Sequence, residues 1–376
     1  LARWVFGNEG GTGAMSAMLW ASAAMGVYLI VSAQLRWALQ PRLSAVVSIF
    51  FTIANIAGAV VLVCFLHWGP AGVLWGVFCG CVAATVLTVV LNGKSFVGRW
   101  SGKEFRRMLM LSLPLLPSSV AVFGGQYANQ LILHDLGTEA DVGTFGVMLR
   151  LASLVGLAMI GFSNALTPLV FTHYAEPDTP GSLQRIFRYF SVFALLLVAG
   201  ICLFAEQIIL VLSTKDYLQG AAMLTVLVPA VLLQQIYPFA PGAWIRHKMW
   251  IVSGINIASV ILAILLNYLL IPTMGPMGAA WATLAASAIA FVIHMVVSQR
   301  YYPVPHVWAP LVLGCVGIAV IVWTGRWLAA GETGFFSGWL WRLPLFATAA
   351  LWLVGVRLVP RENLLRRLPS RSGSAS

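Results

Sequence analysis

The chain has very few residues that could carry out catalysis. Only eleven of its 376 residues are acidic, and none of them lies well inside a long apolar run. The six histidines are scattered near the ends of such runs, and no nucleophile elbow, phosphate-binding loop or Cys/His ligand set is present. The polar segments between the runs reach only about 15 residues, far below the size of a catalytic domain. These features argue against an enzyme and give no reason to expect a cofactor or a metal site.

Cysteine is rare as well, and the five cysteines all fall within apolar runs. The only close spacing is Cys79-Gly80-Cys81, which is not a pattern that binds a metal. We therefore predict that the cysteines are small buried apolar residues, and we expect no disulfide framework.

Apolar sequence dominates the chain instead, with 60% hydrophobic and 9% charged residues. A helical run of about 20 apolar residues matches the thickness of the hydrocarbon core of a bilayer. The runs are continuous and do not alternate with a period of two, so they predict helices and not the strands of a barrel. The eleven runs are 14–33, 43–66, 71–92, 108–133, 143–168, 186–212, 219–241, 249–271, 276–297, 307–328 and 338–358. The chain is therefore predicted to be an all-α polytopic protein surrounded by a lipid bilayer.

The net charge is +11, but the basic residues are distributed unevenly over the two ends of the predicted helices. If the segment from Asn92 to Arg107 is cytoplasmic, that side collects 17 Lys and Arg residues and the other side four. The positive-inside rule then predicts a chain that starts outside and ends in the cytoplasm. Topology explains the basic charge, which therefore does not indicate a nucleic-acid partner.

A short repeat predicts how the helices are arranged. Residues 69–75 and 275–281 both read G-P-x-G-x-x-W, 206 residues apart. The copies open the third and the ninth runs, so they are six helices apart and have the same orientation. Such a parallel repeat is typical of transporters with two lobes related by an axis along the membrane normal. A weaker match joins Asn55-Ile56-Ala57 to Asn256-Ile257-Ala258, with a spacing that differs by five residues.

The repeat also sets the expected domain boundaries. Residues 1–92 are expected to be the remnant of an N-terminal lobe, 93–107 a cytoplasmic linker and 108–297 a C-terminal lobe of six helices. Residues 298–358 form an appended helix pair, and 359–376 a disordered basic cytoplasmic tail. The second motif lies about 168 residues into its lobe, and the first lies only 69 residues into the chain. By this logic three helices are expected to be missing from the front.

Four stretches resemble the polysaccharide transporter family, the O-antigen-type flippases of the multidrug/oligosaccharidyl-lipid/polysaccharide exporter superfamily. They are SLPLLPSSVAVFGGQYANQLIL (112–133), VGTFGVMLRLASL (142–154), LLNYLLIPTMGPMGAAWATLAA (265–286) and AQLR (33–36). The resemblance covers essentially the whole chain, aligned to helices four to fourteen of a fourteen-helix protein. It implies a MATE-like transporter bundle with two lobes around a central cavity.

The resemblance also implies a function. It implies that undecaprenyl-diphosphate-linked oligosaccharide units are moved across the bacterial inner membrane, to build a surface polysaccharide such as O-antigen, capsule or exopolysaccharide. The implied partners are a polysaccharide polymerase and the glycosyltransferases of the same pathway. At Asn129-Gln130 the chain departs from the family, which often shows an acidic-basic pair there. An ion-coupling role is therefore not carried over to these two positions.

Two other functions compete with the flippase. An exporter of organic cations from the same superfamily would prefer acidic residues within the helices. A membrane-embedded glycan polymerase or transferase would carry an outer loop of domain size with paired charged residues. The sequence shows neither feature, so the flippase is the preferred interpretation.

Arg150 is the first candidate for the substrate site. It is the only charged residue between Val142 and Pro168, a stretch long enough to cross a bilayer. A guanidinium in hydrocarbon costs several kcal/mol, so an arginine there is expected to face a wet cavity or a partner. The alternative is snorkelling, in which the long side chain reaches the lipid headgroups.

A stripe of amides is the second candidate. Gln126, Asn129 and Gln130 have the spacing i, i+3, i+4 and therefore share one face of a helix. An unsatisfied amide in hydrocarbon costs several kcal/mol, so all three need partners. They form either a cavity wall that binds glycan hydroxyls or hydrogen bonds between helices.

Four more residues complete the predicted substrate site. Gln234 and Gln235 precede Pro238 and interrupt the seventh run, as broken helices at transport sites do, although a plain kink is the alternative. Arg246 lies in a short cytoplasmic basic cluster, which the positive-inside rule alone also explains. Arg36 closes the first run, where a guanidinium can bind diphosphate oxygens through two hydrogen bonds.

Overall fold

The computed structural model describes residues 11–38, 40–93, 101–329, 337–356 and 358. These residues divide into two compact units, with the division between Lys103 and Glu104. The predicted tail, residues 359–376, and residues 94–100 of the predicted linker lie outside the described residues.

Among the described residues, ten helices are long and apolar enough to cross a membrane. This part of the chain is all-helical, as the continuous apolar runs predicted. The eleventh run also forms a helix, Ser337–Gly355, whose apolar stretch Trp341–Gly355 is shorter than a span. The count of eleven spans is therefore reduced to ten spans and one shorter apolar helix.

The first unit contains three long helices: α1 (Gly11–Trp37), α2 (Pro41–Val60) and α3 (Gly69–Asn92). Helix α2 continues into one π-helical turn, Val61–Phe65. Gly76 on α3 lies directly against α2, because a Cβ built there would lie 2.4 Å from the backbone nitrogen of Ala59. This close approach explains why the third run carries glycines at four-residue spacing.

The second unit contains the remaining helices. They are α4 (Gly102–Ser112), α5 (Leu115–Leu136), α6 (Glu139–His173), α7 (Thr179–Leu203), α8 (Ala205–Leu212), α9 (Ala221–Gln234), α10 (Gly242–Ile245), α11 (Met249–Met274), α12 (Pro276–Tyr301), α13 (Trp308–Ala329) and α14 (Ser337–Gly355). Two 3₁₀ turns, Lys215–Gly220 and Tyr237–Phe239, flank α9.

Besides the turn at Leu113 and Pro114 between α4 and α5, which divides the run 108–133, two of the predicted runs are interrupted in the structure. The run 186–212 breaks at Phe204, which lies outside the helical region of backbone space with φ −98° and ψ 20°. The run 219–241 leaves the helix after Gln234, and the chain continues through short turns around Pro238. Proline cannot donate a backbone hydrogen bond and restricts the residue before it, which accounts for the second break.

The core of the second unit is built mainly from α6, α7 and α9. Phe145, Met148, Leu183, Leu224 and Leu227 are all almost completely buried there. Helices α5, α11 and α12 pack together beside it, and α12 contacts α9. The predicted appended pair, α13 and α14, packs on α7.

The cysteine prediction holds for two of the five residues. Cys81 and Cys202 are buried, whereas Cys64, Cys79 and Cys315 are exposed on the surface of their units. Lipid surrounds a membrane protein, so a thiol on its outer surface contacts apolar lipid and does not need to be buried inside the protein.

Candidate functional site

An open groove lies between α5 and α11 in the second unit. It has a volume of about 340 Å³. The residues that line it are Ser118, Ser119, Val122, Phe123, Gln126 and Asn256. Four of these six side chains are hydroxyls or amides, and none of the six is charged.

Helical spacing brings the groove residues onto one face of α5. Ser118, Val122 and Gln126 lie four residues apart, and Ser119 and Phe123 form the adjacent row. Gln126 and Ser119 are exposed. The hydroxyls of Ser118 and Ser119 donate to the carbonyl of Leu115, at 2.9 Å each, which holds their oxygens toward the start of the helix.

Asn256 completes the groove from α11, where it is half-buried. Neutral amides and hydroxyls both donate and accept hydrogen bonds, so this lining suits a ligand rich in hydroxyl groups. It offers no counterion for a cationic ligand.

A second set of polar side chains forms a buried seam across four helices. The amide of Asn267 donates to the carbonyl oxygen of Asn129 at 2.6 Å. The amide of Asn129 in turn donates to the hydroxyl of Thr283 at 3.2 Å. Asn129, Asn267 and Thr283 are all buried, so these bonds replace water that the three side chains have lost.

The seam continues along α12 to the end of α9. The hydroxyl of Ser287 donates to the backbone carbonyl of Thr283 at 2.7 Å. It also accepts a hydrogen bond from the side-chain amide of Gln234 at 2.9 Å. Two sets of amides predicted separately, one on α5 and one on α9, thus belong to one network of hydrogen bonds.

The amide stripe therefore divides between two environments. Asn129 uses both its amide nitrogen and its carbonyl oxygen to join α5 to α11 and α12, which is the packing role given as its alternative. Gln126 lies three residues earlier and faces the groove. Gln130 is half-buried beside them. Gln126 is thus the member of the stripe that remains accessible to a ligand.

Arg150 is an exposed residue in the middle of α6. The helix starts at a capping box, in which Thr138 and Asp141 each accept a hydrogen bond from the backbone of the other. Arg150 follows Glu139 by eleven residues, which is about 16 Å along the helix axis. No ion pair of Arg150 occurs among the residues that the structure describes. The guanidinium is thus an accessible charge on a helix of otherwise apolar character.

The other predicted residues are not gathered at the groove. Gln235 is half-buried at the end of α9, directly after Gln234. Arg246 is exposed where α10 ends. Arg36 belongs to the first unit, where it is half-buried in the last turn of α1.

Sequence reasoning missed several of the groove and seam residues. Ser118, Ser119, Asn267, Thr283 and Ser287 were not singled out, and Asn256 was noticed only as part of a repeat. Two patterns point to them: an isolated asparagine within the apolar stretch LLNYLL, and the i, i+4 spacing of Thr283 and Ser287. Serine and threonine are common in membrane helices because they bond to their own backbone, so their presence alone does not identify a site.

No protein-family model matches the sequence, and no curated protein matches it. Solved structures do match the fold. The crystal structure of MATE in the straight conformation covers 77% of this chain and 69% of its own length, with a TM-score of 0.68 and 14% identity. The outward-facing conformation of a multidrug resistance MATE family transporter of the MOP superfamily covers 82% and 74%, with a TM-score of 0.69 and 15% identity.

A flippase structure matches a larger share of the chain. The lipid II flippase MurJ, in an inward closed conformation, covers 92% of this chain and 73% of its own length, with a TM-score of 0.59 and 13% identity. These likenesses confirm the predicted fold class, an all-α MATE-like membrane bundle of two lobes. At such low identity they establish the fold and not the substrate.

Proposed function

We propose that the chain is part of a flippase that moves undecaprenyl-diphosphate-linked oligosaccharides across the bacterial inner membrane for surface polysaccharide synthesis. The observation that carries this proposal is the groove between α5 and α11, which is lined by two serines, a glutamine and an asparagine beside two apolar residues and by no charged side chain. Hydroxyl and amide groups of this kind bind sugar hydroxyls. Such contacts are tolerant of the identity of the sugar, as transport of varied glycans requires.

The lining of the groove favours a glycan over an organic cation. A cation that leaves water needs a carboxylate or an aromatic face to replace its hydration. The groove holds one aromatic residue, Phe123, and no carboxylate. The MATE neighbours include a multidrug transporter, so the fold by itself supports both classes, and our preference for a glycan comes from the side chains of the groove.

The flippase neighbour is compatible with the same choice. MurJ is described as a lipid II flippase, and it matches 92% of the chain, against 77% to 82% for the two MATE structures above. The predicted appended pair, α13 and α14, packs against α7 and thus belongs to the second unit. The MATE structures in turn superpose more closely, with TM-scores of 0.68 and 0.69 against 0.59 for the flippase, so the likeness of fold is compatible with both classes.

Arg150 would neutralise the diphosphate of the substrate, and Arg36 in the first unit is a further guanidinium that we propose for diphosphate oxygens. A diphosphate in hydrocarbon faces a large desolvation penalty unless cations accompany it. A guanidinium forms paired, charge-assisted hydrogen bonds with phosphate oxygens. Arg150 suits this task because it is exposed and lies about 16 Å into its helix, further than a side chain at a span end. We expect the two lobes to alternate access to the site, as in other transporters with repeated lobes.

Substitutions of Arg150 test the proposal. Arg150→Gln should lower complementation of a flippase-deficient strain about tenfold or more, because the diphosphate loses a counterion. Arg150→Lys should retain more transport than Arg150→Gln, since charge matters more than shape at this position. Membrane levels of both variants should stay close to those of the unsubstituted protein.

The matched control is Arg185→Gln, which removes an exposed arginine near the start of α7. It should leave transport nearly unchanged. If Arg150→Gln complements as well as the unsubstituted protein, Arg150 has no part in transport, and snorkelling explains its position. Loss of transport in Arg185→Gln of equal size would mean that net charge, and not a site, controls activity.

A further inference from the structure

A break between α7 and α8 brings charged residues together at one end of the second unit. Helix α7 ends at Leu203, and α8 begins at Ala205. Glu206 therefore lies in the first turn of α8, where the free backbone N–H groups favour a carboxylate. The same break is covered by the appended pair, because the rings of Phe204 and Phe346 meet edge to face with centroids 6.4 Å apart.

Helix α14 contributes a buried arginine to this place. One terminal nitrogen of Arg342, Nη2, donates a hydrogen bond to the carboxylate of Glu206. Arg342 is 5% exposed, whereas the side chain of Glu206 is 40% exposed. The ion pair thus joins the appended pair to the break between α7 and α8. Its arginine is buried, whereas its carboxylate is exposed.

Two buried polar atoms near the ion pair have no hydrogen-bond partner among the described residues. The second terminal nitrogen of Arg342, Nη1, is buried and has no hydrogen-bond partner among the described residues. The next residue after Glu206, Gln207, is 6% exposed, and its Oε1 also has no partner there. A buried guanidinium nitrogen without an acceptor costs about 1–3 kcal/mol, so an acceptor is expected at this point.

A small cavity lies beside the unpaired nitrogen. It has a volume of about 10 Å³, which is the room for one water-sized particle. Its lining includes Cys202, Glu206, Gly325, Arg326 and Arg342. Gly325 permits α13 to approach, because a Cβ there would lie 2.7 Å from Cδ2 of Leu203.

The charges that line the cavity do not cancel. Two guanidiniums, from Arg326 and Arg342, face one carboxylate, from Glu206, so the lining carries a net charge of +1. Arg326 is half-buried. Buried charges in membrane proteins are paired with charges of opposite sign. Among the described residues, the excess positive charge of this lining favours a small anion as the occupant of the cavity.

We propose that this cavity binds one monovalent anion of halide size, with chloride as its physiological occupant. The anion would accept hydrogen bonds from Nη1 of Arg342 and from the guanidinium of Arg326. It would complete the contact between α7, α13 and α14. This site is separate from the groove between α5 and α11, and it does not depend on the identity of the transported substrate.

Thermal unfolding of the purified chain in detergent tests the site. The unfolding midpoint should rise with the chloride concentration and saturate, at constant ionic strength set with gluconate, because a ligand that binds only the folded state stabilises it. Bromide should act like chloride. Arg326→Gln should weaken the apparent chloride affinity about tenfold or more, since it removes one of the two cations. A crystal soaked in bromide should show an anomalous peak against Arg326 and Arg342.

Two controls keep the result interpretable. Arg185→Gln removes an exposed arginine at the other end of α7 and should leave the chloride response intact. Glu332→Gln tests a carboxylate from the chain itself, because Glu332 lies between Arg326 and Arg342 in the sequence. The proposal is wrong if chloride and gluconate give the same midpoint, or if Arg326→Gln keeps the full response. It is also wrong if a response is found only in Glu332→Gln, because the chain then supplies its own anion.

Discussion

The two copies of the G-P-x-G-x-x-W motif share one backbone feature in the two units. Gly69, the first residue of α3, and Gly275, which directly precedes α12, both have φ of +57°. That region of backbone space is unfavourable for a residue with a Cβ. The same local sequence thus produces the same φ at its first glycine, although the surroundings differ.

The packing behind the two turns is not the same. At Gly278, the second glycine of the later copy, a Cβ would lie 2.4 Å from the backbone oxygen of Leu270. At Gly72, its counterpart in the first unit, the nearest atom would be 3.1 Å away, in the side chain of Val63. The comparison teaches that the turn is set by local sequence, whereas the tightness of the contact is set by the helices that pack on it.

The largest effect is expected from alanine at the second glycine. Gly278→Ala should lower the free energy of unfolding by about 3 kcal/mol, because the added carbon meets rigid backbone. Gly72→Ala should cost less, about 1 kcal/mol, because the nearest atoms, in the side chain of Val63 and the backbone of Leu62, would lie 3.1 and 3.2 Å from the added carbon and need only a small shift. Thermal unfolding of the two variants in the same detergent measures the difference. Equal losses would show that the two contacts are equally tight.

A somewhat smaller effect is expected in the polar seam of the second unit. Asn129→Ala should cost about 1–2 kcal/mol, because it leaves the buried amide of Asn267 without its acceptor. Gln126→Ala, three residues away, should leave stability unchanged and reduce transport, since Gln126 lines the groove. Measuring unfolding and transport on both variants separates packing from binding. The assignment fails if Gln126→Ala is the more destabilising change.

The first glycines of the two motifs should respond equally. A Cβ at Gly69 or Gly275 meets no atom within 4 Å, so only the backbone conformation opposes it. Each change to alanine should therefore cost about 1–2 kcal/mol. A clear inequality between the two unfolding midpoints would mean that the turns are not equivalent.

The smallest predicted effect is a loss of stability at low pH, and it arises in the second unit alone. Burial lowers the pKa of His306, in the segment between α12 and α13, to about 4. The ring packs on Phe187, with centroids 4.5 Å apart. The neutral ring is favoured in the folded state, so its contribution is complete above about pH 6.5 and is lost as the pH falls toward 4. Allowing for the ring's partial exposure, we expect a loss of about 1 kcal/mol at about pH 5.

His306→Phe should remove this part of the pH dependence. The unfolding midpoint of the variant should fall less between about pH 7 and about pH 5 than that of the unsubstituted protein. An identical fall in both proteins would assign the acid sensitivity to other groups.

Much of the fold follows from features that are local in the sequence. Apolar runs longer than a bilayer is thick predicted the helices, and Pro238 predicted the break after Gln234. The break at Phe204 was missed, since no proline or glycine marks it and the contact with Phe346 arises only on folding.

The candidate site was only partly predictable. The spacing of Gln126 and Asn129 placed them on one face, but it did not show that Asn129 bonds to Asn267 while Gln126 stays open. The weak repeat gives a further example. Asn55 packs against Gly80 in the first unit, where a Cβ on that glycine would lie 2.8 Å from Cα of Asn55. Its counterpart Asn256 lines the groove. Whether a polar residue packs between helices or lines a groove depends on neighbours that lie far away in the sequence.

The most direct measurement of the central claim is transport by the purified chain in liposomes. Undecaprenyl-diphosphate-linked oligosaccharide should become accessible to a membrane-impermeant glycan-binding protein faster in liposomes with the chain than in empty ones. Gln126→Ala and Asn256→Ala should slow it, and a fluorescent organic cation should not be moved. Transport of the cation without any movement of the lipid-linked glycan would contradict the account and assign the chain to the exporters of organic cations.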